Sequence, residues 1–478
     1  MTNSTDVTFK SLGEVQSYLD RLGLFRMDLS LERMRRALVL LEMKRPPFVV
    51  VQILGTNGKG STATFLAALC QAHGCRCGLY TSPHFVSPLE RILVDGMPLS
   101  ETQWVRAANV LSNRVRELTY FEWLTTLAAL LFRENNVDVA ILEAGLGGRY
   151  DATTALEADL LCYTPIAMDH RDVLGQTLRQ IATDKAAAIR SDAPVVTAGQ
   201  YPQAADCLAV AARKHNAPLH QARALTKNAL LQPNLAGPHQ LLNAGTALGA
   251  WLFLAPMLRR EVDNIELQCR GLRRAFLPGR LQRLAACAEY PDMLLDGAHN
   301  PHGMKALLDA LRDTDIRPSC AVFSCLADKD WRPSVVLLRH FLGNTPVFVP
   351  ASQNPRAASA AVVASVYNSV TPQTAKPVAD LSEALSVAGG SKSGTACPVL
   401  LTGSLYLLAE FFILYPASQN TRCHQSWPVF SGREHPDSKD TEIWGKNLPI
   451  SPDAPGKNSI PQLCGKRLKF WQNVILNF

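Results

Sequence analysis

The segment Gly55-Thr-Asn-Gly-Lys-Gly-Ser61 has the plainest chemical capacity in this chain. Glycines let backbone N–H groups approach a phosphate, a following helix start adds partial positive charge, and Lys59 adds a full one. The spacing departs from the usual phosphate loop, because Gly60 follows Lys59 and Ile53 stands where the first glycine belongs. A tight strand-to-helix turn is the plain alternative, but the lysine and the apolar run before it favour nucleotide binding. A second feature is Val137–Arg149, an apolar run ending in Glu143 and then Ala-Gly-Leu-Gly-Gly-Arg149. Ligands of open α/β sheets bind beyond the carboxyl ends of strands. Glu143 there is placed to reach Mg²⁺, which takes oxygen ligands and bridges carboxylates to phosphate; the alternative is a carboxylate capping a local turn. Ala167-Met-Asp-His170 follows another apolar run and puts His170 in an equivalent position, as a ligand or catalytic group. Lys185, in the helical stretch Thr177–Lys185, reads from composition as a solvated lysine. Thr81-Ser82-Pro83-His84, His239-Gln240-Leu-Leu-Asn243 and Asp296-Gly-Ala-His-Asn-Pro301 each place polar groups on a loop beside an apolar element. Singly, each reads as a turn or cap.

These residues need strands and helices in alternation to hold them. The apolar runs predict strands at 48–54, 137–143, 160–164 and 194–197, with helices at 62–73, 121–134, 177–189, 204–215 and 241–258. Helical spacing with charged faces covers 11–45 until Pro46-Pro47 breaks it. After Pro278-Gly-Arg280 the alternation restarts, with strands at 293–295, 319–323, 346–349 and 399–401 and helices at 303–312, 357–369 and 381–387. The pattern predicts an α/β protein: a P-loop ATPase domain with a mostly parallel sheet (1–279), then a smaller Rossmann-like α/β domain (280–418). Residues 419–478 contain six prolines and no sustained period, and are expected to form a poorly ordered tail, although Trp427, Trp444 and Trp471 leave docking open.

Bulk properties agree with a packed enzyme. The chain has 478 residues, 47% apolar and 19% charged, with 48 basic against 41 acidic side chains, a net +7. At roughly 100–200 residues per domain this length suits two or three domains, and the composition excludes global disorder. No dense Lys/Arg run marks a nucleic-acid partner. Residues 1–10 lack a signal-peptide core and the longest apolar stretches, near 248–258 and 405–415, are too short to span a bilayer. No membrane association is expected. The twelve cysteines are irregularly spaced, which fits reduced thiols in a cytoplasmic protein.

Taken in order, the motifs resemble the folylpolyglutamate synthase/dihydrofolate synthase family within the Mur ligase superfamily. The matching words are 55–61, Ser82-Pro-His84, Glu90-Arg91, Thr119-Tyr-Phe-Glu122, 143–149, Asp151-Ala-Thr153, Asp169-His170, Lys185, Asn243-Ala, Pro278-Gly-Arg280, 296–301, Asp328-Lys-Asp330 and Thr402-Gly-Ser404. The resemblance implies ATP-dependent joining of L-glutamate to dihydropteroate or reduced folates through an acyl phosphate. It places Thr56, Asn57, Gly58, Lys59, Gly60, Ser61, Asn243, Arg280, Asp296 and His299 on ATP. It places Ser82 and Glu143 on one Mg²⁺, and His170 on a second together with Lys185, which would be carbamylated. Lys59, His170 and Lys185 would carry the catalysis. Thr119, Tyr120, Phe121, Glu122, Tyr150, Asp151 and Ala152 would hold the pterin, and a monomer is expected. Thr154 stands where the family has Asn, and Asp184-Lys-Ala-Ala187 replaces Glu-Lys-Ala-Gly. Two rival readings are a P-loop kinase or nucleotide switch, which leaves the second-domain motifs without roles, and a cell-wall amino-acid ligase of the same superfamily.

Overall fold

The structure, a computed structural model, describes residues 8–23, 29–226, 230–369, 373–390 and 397–421. The proposed tail, including Trp427, Trp444 and Trp471, therefore lies outside the described residues from 422 onward. The chain builds two mostly parallel sheets. The first contains β1 (Val49–Leu54), β2 (Cys77–Tyr80), β3 (Ile92–Val94), β4 (Met97–Pro98), β5 (Val139–Glu143), β6 (Leu160–Tyr163), β7 (Val195–Thr197) and β8 (Leu219–Gln221). The second contains β9 (Gln282–Leu284), β10 (Met293–Asp296), β11 (Cys320–Phe323), β12 (Val347–Pro350), β13 (Ala375–Val378) and β14 (Val399–Thr402).

In the first sheet the order is β4-β3-β2-β5-β1-β6-β7-β8, and only β3 and β4 run antiparallel to their neighbours. β1 lies between β5 and β6, pairing Ile53 with Glu143 on one side and with Cys162 on the other. All six parallel strands end at one edge. The loops after β1, β2 and β6 and the last residue of β5 therefore converge there without any long-range design beyond the sheet order. Both faces are covered, so the strands read as continuous apolar runs. Helix Lys59–Ala72 is buried on nearly every side, between this sheet and helices Pro238–Met257 and Ile265–Arg274. Helix Tyr120–Glu134 closes the opposite face with Trp123, Leu127 and Phe132.

The second sheet has the order β13-β12-β11-β14-β10-β9, with only β9 antiparallel. Its core is separate, built on one face by helices Pro301–Asp313, Arg332–Leu342 and Ala360–Tyr367 and on the other by Leu381–Gly390 and Leu405–Leu414. The ends of β10, β11 and β14 face the same space as the edge of the first sheet. No helix among the described residues is long and apolar enough to cross a membrane. The ten cysteines described are all free thiols.

Candidate active site

The two sheet edges enclose a cleft of about 1450 Å³. On its floor is the loop after β1. Gly58 caps helix Lys59–Ala72 at φ 88° with no side-chain cap, and a Cβ there would collide with the Asn243 amide. The residue must be glycine, and the first-turn N–H groups of that helix are left for a ligand. Thr56 Oγ1 donates to the Ala167 carbonyl (3.1 Å) and accepts from Ala167 N–H (3.0 Å), which ties this loop to the one after β6. Lys59 Nζ folds back onto the Thr56 carbonyl at 3.1 Å. Asn243 donates to Gln240 Oε1 at 2.9 Å.

Glu143, the last residue of β5, is 5% exposed. The only hydrogen bond its carboxylate makes among the described residues comes from Ser82 N–H, 3.0 Å from Oε2. A Cβ at Gly60 would lie 3.5 and 3.6 Å from its two oxygens, so the carboxylate stands directly over the first turn of the phosphate-loop helix. Burial raises its pKa, against the fields of Lys59, Arg280 and Arg91 and the Ser82 hydrogen bond. A buried carboxylate with spare acceptor capacity beside a phosphate loop fits a hard divalent cation.

His170 sits differently. It occupies the left-handed region (φ 50°), and its side chain is 41% exposed. Its Nε2 lies 3.0 Å from Lys329 Nζ of the second domain. Burial pushes its pKa down to about 4, with Lys329 adding to the effect and Asp169 opposing it; the ring is a neutral acceptor. Lys329 also pairs with Asp169 at 2.7 Å. Burial alone would raise the Asp169 carboxyl, but Lys329, His170 and His299 hold it well below the carboxylate range. Asn300 donates to Asp169 Oδ2 (3.1 Å) and to Asn57 Oδ1 (3.1 Å), and Asn57 Nδ2 returns a bond to Asn300 Oδ1 (3.2 Å). These contacts form a polar clasp between the sheets.

Lys185 is 5% exposed, on helix Leu178–Ala186, and is not the solvated lysine its composition suggests. Gly148 lets this helix approach, since a Cβ there would lie 2.7 Å from Lys185 Cα. The Tyr163 hydroxyl donates to the Lys185 carbonyl at 3.0 Å. Burial, reinforced by Lys59 and opposed by Asp169, Asp184 and Asp151, lowers the ammonium pKa to about 7. A substantial neutral-amine fraction therefore exists at physiological pH.

From the second sheet, Asp296 accepts from Leu281 N–H (3.0 Å) and Ala298 N–H (2.9 Å), while burial raises its carboxyl against Arg280. Arg280 lines the cleft beside it. His299 bonds through Nδ1 to the Gly297 carbonyl at 2.9 Å, and burial lowers its pKa to about 4. Ser61 is buried on the first turn of the loop helix.

The segment 119–122 is a capping box. Thr119 accepts from Glu122 N–H (3.4 Å), and Glu122 returns a bond to Thr119 N–H (2.8 Å). Both Glu122 oxygens also accept from Arg33, at 2.9 and 3.2 Å, so this carboxylate positions two helices. Tyr120 and Phe121 line the cleft, and Tyr150 is exposed at its mouth. Asp151 is consumed locally: it accepts from Leu146 N–H (2.9 Å) and Thr153 N–H (3.0 Å), with Ala152 buried behind it. Thr154 replaces the family's Asn without leaving a gap. Its hydroxyl donates to the Gly148 carbonyl (2.8 Å) and accepts from Gln52 Nε2 (2.7 Å). The clasp residues Asn57, Asp169, Asn300 and Lys329 are adjacent only in three dimensions; the first three lay in motifs read from the sequence, and Lys329 only in a word that matched the family.

Residues 279–405 match the family model described as Mur ligase, glutamate ligase domain. A Bacillus subtilis protein named dihydrofolate synthase/folylpolyglutamate synthase is 30% identical over 433 residues, covering 84% of this chain and 98% of the relative. The chain belongs to that family. Among solved structures, Escherichia coli FolC in complex with DHPP and ADP aligns with TM-score 0.73 and 29% identity over 85% of this chain and 98% of that one. The Yersinia pestis bifunctional folylpolyglutamate synthase/dihydrofolate synthase, complexed with AMPPNP and Mn ion, gives 0.73 and 30% over 84% and 97%. This family member is an α/β ligase.

Proposed function

We propose that this protein joins L-glutamate to dihydropteroate and to reduced folates, with ATP converted to ADP and phosphate. The single observation that carries the reading is the convergence, in one cleft, of the 55–61 loop, Glu143 and Lys185 with Arg280 and Asp296 of a second domain. The cleft's aromatic wall at Tyr120 and Phe121 suits a pterin, and Thr119, Glu122, Tyr150, Asp151 and Ala152 shape that wall. We place the division between domains at 279/280, and take the working species to be a cytoplasmic monomer.

A carboxylate is a poor electrophile. The acid attacks the γ-phosphorus of ATP, forming a C–O–P bond as the β–γ bridge breaks and ADP leaves. The glutamate amine then adds to the acyl carbon, and the tetrahedral adduct expels phosphate. The loop N–H groups and Lys59 hold the phosphates where negative charge spreads. Thr56, Asn57, Gly58, Gly60 and Ser61 shape that cradle, Asn243 packs beneath it, and Arg280, Asp296 and His299 close over the nucleotide. Ser82 and Glu143 would hold one Mg²⁺, and His170 with Lys185 a second; bound there, the ions would neutralise charge on the transferring phosphoryl group. A neutral, buried Lys185 amine is the form that adds CO₂, giving a carbamate and a proton. That converts a repelled cation into an anionic oxygen donor. Closure of the second domain excludes water from the acyl phosphate. A kinase would give Arg280, Asp296 and the clasp no task.

The test offers dihydropteroate and tetrahydrofolate separately, each with ATP, Mg²⁺ and glutamate, and identifies products by mass. The expected result is an amide from each, one ADP per bond. ADP release independent of both acids, or a surviving phosphorylated acceptor, would refute the reading.

A further inference from the structure

Among the described residues, Arg91 is a buried cation without a counter-ion. It is 4% exposed, it lines the cleft, and it forms no ion pair among the described residues. Among the described residues the guanidinium makes one hydrogen bond, from Nε to His84 Nδ1 at 2.8 Å, which leaves its terminal amino groups for another partner. Burying a charge is costly unless an anion or hydrogen-bond acceptors compensate. The surroundings hold the group firmly. Glu90 accepts from the N–H groups of Phe85 (2.8 Å), Val86 (2.8 Å) and Ser87 (2.7 Å), which fixes the turn before Arg91. The guanidinium stands 5.6 Å from the Tyr120 ring centroid, and Thr81 N–H donates to the Arg91 carbonyl at 2.9 Å.

Its place in the sheet selects the anion. Arg91 immediately precedes β3, and the order β3-β2-β5-β1 separates it from the phosphate loop. Three strand spacings put its backbone about 14 Å from that loop. Glu143 ends the strand between them. Arg91 therefore lies beyond the carboxylate that faces the phosphates, beside the aromatic wall. An acid whose pterin occupies that wall carries its carboxylate at the opposite end, and must bring it toward the phosphates past Arg91, whose field reaches Glu143.

We propose that Arg91 binds the carboxylate of the acceptor acid, and that His84 is a positioning residue that orients the guanidinium. The assignment rests on the ligase reading above and adds the group that recognises the acid. Arg91 selects an anionic acceptor and presents one carboxylate oxygen for phosphorylation.

The test uses the full chain loaded with a non-hydrolysable ATP analogue and Mg²⁺. Affinities are measured for dihydropteroate and for its primary carboxamide, with wild type, Arg91→Gln and Arg91→Lys. Wild type is expected to prefer the acid at least about tenfold, and Arg91→Gln to lose that preference through weaker acid binding alone. Arg91→Lys should retain part of it, and nucleotide affinity should not change. Equal weakening of acid and carboxamide, or a loss of nucleotide affinity instead, would overturn the assignment. If Arg91→Gln does not fold, the wild-type comparison decides alone: equal affinity for acid and carboxamide also overturns it. Failure of the ligase reading is distinct, because wild type would then form no amide from any pteroyl acid.

Discussion

The two ends of the cleft are built on different principles. Glu143 is the terminal residue of a central strand, held by sheet pairing and by a backbone N–H of its own sheet's loop. His170 is a loop residue in a left-handed conformation, and its imidazole is occupied by Lys329 from the other domain. The contrast teaches that one end is preformed by the fold. The other is shared between domains, so its ligand capacity depends on how the second domain sits.

The largest effect should come from breaking the preformed end. Lys59→Ala removes the cation proposed to hold the phosphates, and kcat/KM should fall at least about a hundredfold, ~2.7–4 kcal/mol by comparison with single transition-state donors. Steady-state ADP release measures it, and near wild-type turnover would remove Lys59 from the mechanism. Lys185→Ala should also lower activity severely, and short carboxylic acids should restore part of it by supplying the missing oxygen donor. No loss would return Lys185 to a structural role.

A smaller change is expected at the shared end. Lys329→Met releases the His170 ring and strips Asp169 of its cation, so the nucleotide-free protein should expand in small-angle scattering. Mn²⁺ binding to the nucleotide-free protein should tighten, because the imidazole no longer has a competing donor. An unchanged radius and unchanged Mn²⁺ affinity would show that the clasp holds nothing.

The smallest effect is on stability against pH. Burial holds His84 at about 3 and His170, His239 and His299 at about 4, against about 6.5 in the unfolded chain. The unfolded state therefore binds more protons below about pH 6.5, and stability falls as pH drops from there through the folded values. The buried carboxyl of Glu143 has the opposite sign: its raised pKa contributes stability that is lost as pH rises through it. Denaturant midpoints should drop from about pH 7 to about pH 5, where the histidines dominate. A rising midpoint would mean the carboxylates do.

Much of this site was legible because strand ends are local signals. Val49–Leu54 is apolar at every position but Gln52 and is followed by glycines, and Val139–Glu143 ends on its one carboxylate. Short or interrupted elements were not. Cys77–Tyr80 is only four residues long and carries a glycine whose space is taken by the Phe132 ring, and helix Ile265–Arg274 is a short ten-residue helix with few apolar residues. Lys185 looked solvated because the residues packed against its helix, Gly148 and Tyr163, are distant in sequence. The Asp169–Lys329 pair spans 160 residues, a relation no local pattern carries. Arg91 stood inside a matching word, but only its burial without a counter-ion among the described residues gives it a task.

A crystal of this protein with a non-hydrolysable ATP analogue and Mn²⁺ puts the whole account at risk in one experiment. The triphosphate should lie on residues 55–61, with anomalous peaks beside Ser82 and Glu143 and beside His170. A triphosphate bound away from Glu143 and His170 would contradict the account.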